Sequence, residues 1–198
     1  MSEPETLVVA PKRSRKLARE LAFQALYSVD LREGDISEVV EETLVRVPLA
    51  SSSERFFRAL VGGVTSNQLS LDSVIVPCLA ANWGLDRLAI TDLTALRLGV
   101  FELEHLPGMP PKVSISEAVE LATRYGSAAS GRFVNGVLAT VLKQSAKAQW
   151  DPSQEESPEP EDEYVPDPVV DLIEVKDGTP EAEEFEKVSS WVIRSDPE

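Results

Sequence analysis

The chain has 198 residues and a formal net charge of −15, enough length for one sizeable domain or two small ones. Its single cysteine, Cys78, excludes an intrachain disulfide and a cysteine-based metal cluster. No apolar run reaches transmembrane length and no signal-peptide core is present, so we expect a cytoplasmic protein.

Residues 1–11 are predicted to be a flexible leader, and the first helix is predicted over Lys12–Leu31. Its cations recur at i, i+3, i+4 and i+7, so they share one side of the helix. A cationic stripe beside an aromatic ring, in an otherwise acidic protein, is typical of a single-stranded RNA binder. The alternative is an ordinary solvated helix face. The stripe consists of Lys12, Arg15, Lys16 and Arg19, and Arg13 and Tyr27 are further RNA-binding candidates in this helix.

Five more helical segments follow. Capping-box patterns predict helix starts at Asp35–Glu38, Ser51–Glu54 and Ser114–Glu117. The helix after Ser51 has an apolar stripe with a kink near Ser66–Asn67. Asn82–Gly84 is typical of a break, with Trp83 as an aromatic plug. Leu88–Leu106 is the most apolar helix and is predicted to be central and buried. A loop at Ala128–Gly131 precedes the last helix. No strand alternation is visible, so we predict an all-α bundle of six or seven helices.

The segment after residue 145 differs from the rest. Residues 1–145 hold 15 Lys and Arg against 17 Asp and Glu, whereas residues 146–198 hold 4 against 17 and seven of the 14 prolines. This composition buries too little apolar surface to offset chain entropy, so we predict a disordered acidic tail over 146–198. We hypothesise that the tail docks to a partner or screens the basic stripe. An inert solubilising tail is equally compatible with the composition.

Several segments in order resemble the bacterial transcription antitermination factor NusB family. They lie in the first helix, the middle pair, the central helix and the last two helices. They are Arg15–Tyr27, Phe57–Val64 with Leu71-Asp72, Leu96–Leu103, Lys112-Val113 with Glu117–Ala122, and Arg132–Leu138. Together they span roughly residues 12–144.

The resemblance implies an all-α fold of two three-helix bundles. It also implies binding of the boxA element of nascent ribosomal RNA transcripts together with NusE, a small-subunit ribosomal protein, in a complex on RNA polymerase. By matching positions the RNA side includes Arg15, Lys16, Arg19, Tyr27, Arg132 and Phe133, although Phe133 on pattern alone reads as core. Members of this family occur as monomers and as dimers that hide the RNA face, and the sequence leaves both open.

The partner side is assigned to acidic residues of the central helix. Asp92 matches a family position at the NusE interface, and Glu102 is a second candidate.

We find no catalytic, cofactor or metal-binding motif and therefore predict a non-enzymatic protein without a cofactor. The alternatives are a protein-interaction module and a regulatory domain like that of some RNA cytosine methyltransferases.

Overall fold

A computed structural model describes residues 14–32, 34–81 and 83–151, all of which lie in one compact unit. Within these residues the chain forms six α-helices and no β-strand, which confirms the all-α prediction. The helices are α1 (Arg15–Arg32), α2 (Ile36–Arg46), α3 (Ser51–Ile75), α4 (Ile90–His105), α5 (Pro111–Tyr125) and α6 (Ala128–Gln144). Short 3-10 helices occupy Val76–Cys78, Leu85–Arg87 and Ala146–Gln149. None of the described helices is long and apolar enough to cross a membrane.

Two predictions are confirmed, namely the capped start of α2 and the burial of the central helix. The Asp35 side chain caps α2 by accepting a hydrogen bond from the Ser37 amide at 2.8 Å, and α2 ends before Pro48. The central helix α4 is the most enclosed element, since every residue from Thr94 to Leu103 is buried. A helix that is apolar on more than one side has to be surrounded by other elements.

A helix does start at Ser51 as predicted, but neither of the other two capping boxes forms. The N-cap of α3 is Ala50, which makes no side-chain cap bond, and Ser53 Oγ accepts from the Ser14 amide at 3.0 Å. Helix α5 starts three residues earlier than predicted, after Pro110. Ser114 is therefore inside the helix and buried.

Two further local predictions were corrected. α3 continues as one helix through Ser66 and Asn67, where a kink was expected. The expected loop at Ala128–Gly131 is the first turn of α6, which Ser127 caps by accepting from the Ser130 amide. A serine at the N-cap position supplies the acceptor that the first helical amides need.

The helices form two groups of three around a shared core. α1 packs on α2 and α3, while α5 packs on α4 and α6, and the α3–α4 contact joins the groups. Gly63 of α3 permits that contact, because a Cβ there would overlap the ring of Phe101 on α4.

The folded unit extends past the boundary predicted at residue 145. Lys147 is buried, and its Nζ donates to the carbonyls of Glu102 at 3.0 Å, Leu106 at 2.5 Å and Met109 at 2.7 Å. These carbonyls lie at and just beyond the end of α4, where helix carbonyls lack intrahelical partners. The start predicted for the tail, residue 146, is therefore too early. Residues 152–198 lie outside the described residues.

Candidate nucleic-acid interface

The basic stripe predicted on the first helix is exposed only at its start. Arg15 and Lys16 have exposed side chains, and we refer to these two residues as the α1 basic face. The guanidinium of Arg15 lies 5.5 Å from the centre of the Phe56 ring, in cation–π contact. Lys12, which was predicted to begin the stripe, and Arg13, a further RNA-binding candidate, lie outside the described residues.

Carboxylates of α1 and α5 surround the α1 basic face. Lys16 Nζ lies 2.7 Å from Oε1 of Glu120, and Arg124 donates to Glu120 and to Glu20 at 2.8 and 2.9 Å. The hydrogen bond from Lys16 is the main cause that lowers the pKa of Glu120. The side chains of Lys16 and Glu120 are 54% and 40% exposed, and exposed pairs of this kind contribute about 0–1 kcal/mol. A phosphate can therefore displace Glu120 from Lys16 at little cost.

Arg124 was missed by the sequence analysis. It lies one helical turn after Glu120, and i,i+4 spacing was the available signal. Its proximity to α1, however, depends on how α5 packs. The α1–α5 surface thus carries two cations and two carboxylates in contact, with Arg15 as an additional positive charge.

Arg19 and Glu102 do not belong to an exposed site, which corrects both assignments. Their side chains are 5% and 3% exposed, and Arg19 Nε and Nη2 donate to the two carboxylate oxygens of Glu102 at 2.7 and 3.0 Å. Ser114 Oγ donates to Glu102 at 3.1 Å, and the sulfur of Met109 accepts from Arg19 at 3.1 Å. The last cation of the stripe is therefore held inside the protein by a bidentate ion pair rather than presented to phosphate.

Tyr27 is half-buried and lies in a stack of three rings. The Tyr27 and Phe23 centroids are 6.3 Å apart with nearly parallel planes, and Phe23 lies 4.8 Å from Tyr125. The Tyr125 hydroxyl donates to Glu20 at 2.7 Å and accepts from Gln24 at 2.6 Å. The outer ring of the stack, Tyr27, retains surface that a base can reach.

Arg132 and Phe133 lie in the first two turns of α6. Arg132 is exposed, whereas Phe133 is half-buried and packs against the core. The Phe133 ring centre lies 6.0 Å from that of Trp83, with the planes inclined by 43°. The sequence analysis interpreted Trp83 as an aromatic plug at a helix break, whereas its side chain is 48% exposed. Trp83 and Phe133 are 50 positions apart in the sequence, so no local pattern predicts their contact.

Asp92 lies in the first turn of α4 and is half-buried. Its Oδ1 is buried and has no hydrogen-bond partner among the described residues. A buried acceptor without a donor costs free energy, which a donor from another molecule would recover. Of the two predicted partner residues, Asp92 is the one that is partly exposed and has an acceptor oxygen without a donor among the described residues.

Comparison with known proteins decides the family. The family model described as the NusB family matches residues 16–143. The chain belongs to the NusB family. Two curated relatives named transcription antitermination protein NusB illustrate the similarity. The Listeria monocytogenes serotype 4a protein is 36% identical over 127 residues, covering 64% of this chain and 94% of that protein. The Lacticaseibacillus casei protein is 39% identical over 136 residues, covering 68% and 98%.

Solved NusB structures share the fold. A T. maritima NusB structure matches with a TM-score of 0.65 and 32% identity, covering 71% of this chain and 97% of that one. A chain in the crystal structure of the antitermination factors NusB and NusE in complex with dsRNA matches with a TM-score of 0.61 and 33% identity, covering 66% and 96%. The NusB family match ends at residue 143, so the acidic segment after it lies outside the family region.

Proposed function

We propose that this chain is a transcription antitermination factor. It binds boxA-type single-stranded RNA of nascent ribosomal RNA transcripts jointly with NusE, as part of the antitermination complex on RNA polymerase. It acts in the cytoplasm and catalyses no reaction. The observation that carries the proposal is the exposed α1 basic face in a chain of the NusB family, similar to a NusB solved together with NusE and RNA.

The electrostatics of the α1 basic face suit a polyanion although the chain as a whole is acidic. Charges are screened over about 8 Å at physiological salt, so nearby cations outweigh distant carboxylates. Each cation that meets a phosphate of a single strand adds about 0.7 to the slope of log K against log salt. Arg15, Lys16 and Arg132 are the described candidates, and Lys12 and Arg13 extend the set at the amino end.

The partly exposed rings of Tyr27 and Phe133 favour an unpaired strand. A base can stack on Tyr27 or Phe133 only when it is free of its own helix, and such stacking is worth about 1–3 kcal/mol by alanine substitution. The related crystal structure contains double-stranded RNA, so the state of the strand has to be tested directly.

The NusE contact is assigned to Asp92. Its unpaired buried oxygen, together with a position at the helix start where a negative charge is favoured, suits a basic partner. Asp92→Asn keeps the shape and removes the charge. We expect it to weaken NusE binding while RNA binding by the free protein stays within about twofold.

Fluorescence anisotropy with labelled boxA RNA tests the proposal, with and without NusE. The same RNA annealed to its complement gives the duplex arm. We expect single-stranded boxA to bind more tightly than the duplex, and NusE to increase the affinity. Arg15→Gln is expected to reduce the salt slope by about 0.7, with Arg46→Gln, an exposed arginine at the end of α2, as the matched control. Absence of RNA binding in every arm would leave a protein-interaction module.

A regulatory domain of a larger RNA methyltransferase is less well supported. The alignments span 94% and 98% of the two curated relatives above, which are named as antitermination proteins. The similarity is thus to complete NusB proteins rather than to one part of a longer enzyme.

A further inference from the structure

Trp83 is a large aromatic residue placed on the surface. It lies between the 3-10 helices Val76–Cys78 and Leu85–Arg87 and is 48% exposed. Its neighbours Leu85 and Leu88 are half-buried and pack against the core. A residue of this size that leaves half its surface in water, while nearby leucines are packed inside, is not explained by core packing.

Trp83 is supported by an aromatic ring of the last helix, next to an exposed arginine in the sequence of that helix. The Phe133 ring is inclined against the indole at 6.0 Å, a geometry that stabilises aromatic pairs and limits the orientations of the indole. Phe133 itself is fixed by its packing against the core. Arg132, the preceding residue on α6, is exposed. A flat apolar surface held in place by Phe133, a residue of the proposed RNA interface, matches the face of an unpaired base.

We propose that Trp83 is a base-stacking residue of the RNA interface. One unpaired base stacks on the exposed indole, Phe133 supports the indole from within, and Arg132 neutralises an adjacent phosphate. This inference rests on the proposed function, since it names a further contact for the same RNA. A nucleotide is favoured over a protein partner because Trp83 contacts Phe133 and thereby continues the proposed RNA interface, which also contains the exposed Arg132.

Two affinity measurements distinguish stacking from charge. Trp83→Ala should weaken boxA RNA binding about 5- to 150-fold, the range expected for one lost base stack, with the salt slope unchanged. Trp83→Phe keeps a ring and should retain most of the affinity. Arg132→Gln should instead lower the salt slope by about 0.7. Circular dichroism and thermal unfolding of Trp83→Ala should match the unsubstituted chain, since the side chain is largely outside the core.

Tryptophan fluorescence supplies a direct readout. The chain has three tryptophans, Trp83, Trp150 and Trp191. A variant with Trp150→Phe and Trp191→Phe reports Trp83 alone, and we expect saturating boxA RNA to quench its emission. A variant with Trp83→Phe and Trp191→Phe reports Trp150 and should show little quenching.

The outcomes separate this inference from the proposed function. If the unsubstituted chain binds boxA RNA but Trp83→Ala binds equally well and Trp83 emission is unchanged, the stacking role is refuted and the RNA function stands. If Trp83→Ala loses NusE binding while RNA binding is kept, the indole is a protein contact and the inference is also refuted. If the unsubstituted chain binds no RNA in any arm, both proposals fail.

Discussion

Breaking the buried pair of Arg19 and Glu102 should destabilise the fold more than removing any exposed cation of α1. Arg19→Met keeps the length of the side chain but leaves the Glu102 carboxylate in the interior with Ser114 as its remaining side-chain donor. Removing one partner of a buried ion pair costs about 3–5 kcal/mol, because the other charge stays desolvated. For a folded unit of roughly 135 residues the unfolding entropy is about 0.28 kcal/mol/K, so Tm should fall by about 11–18 °C.

Thermal and urea unfolding followed by circular dichroism measure this difference. Lys16→Met is the matched control, since it removes a cation one turn earlier whose partner Glu120 is exposed, and Tm should fall by about 4 °C or less. The double variant Arg19→Met with Glu102→Leu should recover most of the loss, because replacing both members of a buried pair by apolar residues is often neutral or stabilising.

The Arg19→Met variant also tests whether Arg19 contacts RNA. At a temperature where Arg19→Met is folded, its RNA salt slope should equal that of the unsubstituted chain, since a buried guanidinium releases no counterions. If Arg19→Met lost less than about 1 kcal/mol and lowered the salt slope by about 0.7, Arg19 would be an exposed phosphate contact and the burial reasoning would be refuted.

Four further predictions concern the same folded unit. Glu120→Gln should raise RNA affinity up to about fivefold at low salt, because Lys16 loses its competing carboxylate, and the gain should vanish at high salt. Lys147→Met should lower stability by about 1–3 kcal/mol in urea unfolding, since it removes the donor to three carbonyls. Burial, reinforced by the hydrogen bond to Glu20, raises the pKa of Tyr125 to about 12. The neutral phenol should therefore contribute stability fully below pH 10 and lose it as the pH rises towards 12, and absorbance titration against Tyr125→Phe measures this. A chain shortened to end at Asp151 should bind RNA more tightly at low salt if the acidic segment screens the basic face.

Each of these has a result that contradicts it. Unchanged affinity in Glu120→Gln would show that the Lys16 pair does not compete with RNA. Unchanged stability in Lys147→Met would mean that water replaces the ammonium. A titration in which Tyr125→Phe removes a component near pH 10 would show an exposed phenol. Equal affinity of the shortened and full chains would discard screening by the tail.

Local sequence patterns predicted the structure best for features that depend on neighbouring residues. Apolar periodicity predicted the central helix and its burial, Asp35 predicted the start of α2, and the ordered family motifs predicted the fold that the comparisons confirm. These signals depend on residues within one or two turns of each other. The capping-box pattern at Ser114 gave a wrong helix start, because the Ser114 hydroxyl donates to Glu102 on another helix. The residues around a serine do not show whether its hydroxyl caps a helix or makes a tertiary contact.

The sequence by itself determined that this chain is helical, belongs to an RNA-associated family and concentrates positive charge at the start of its first helix. Only the tertiary structure decided which of those charges reach the surface. Arg15 and Arg19 are one helical turn apart and appear equivalent on a helical wheel, yet Arg19 faces Glu102, 83 positions later, and is buried. The reason is that helix periodicity specifies a shared side, whereas exposure depends on which other helix covers each part of that side.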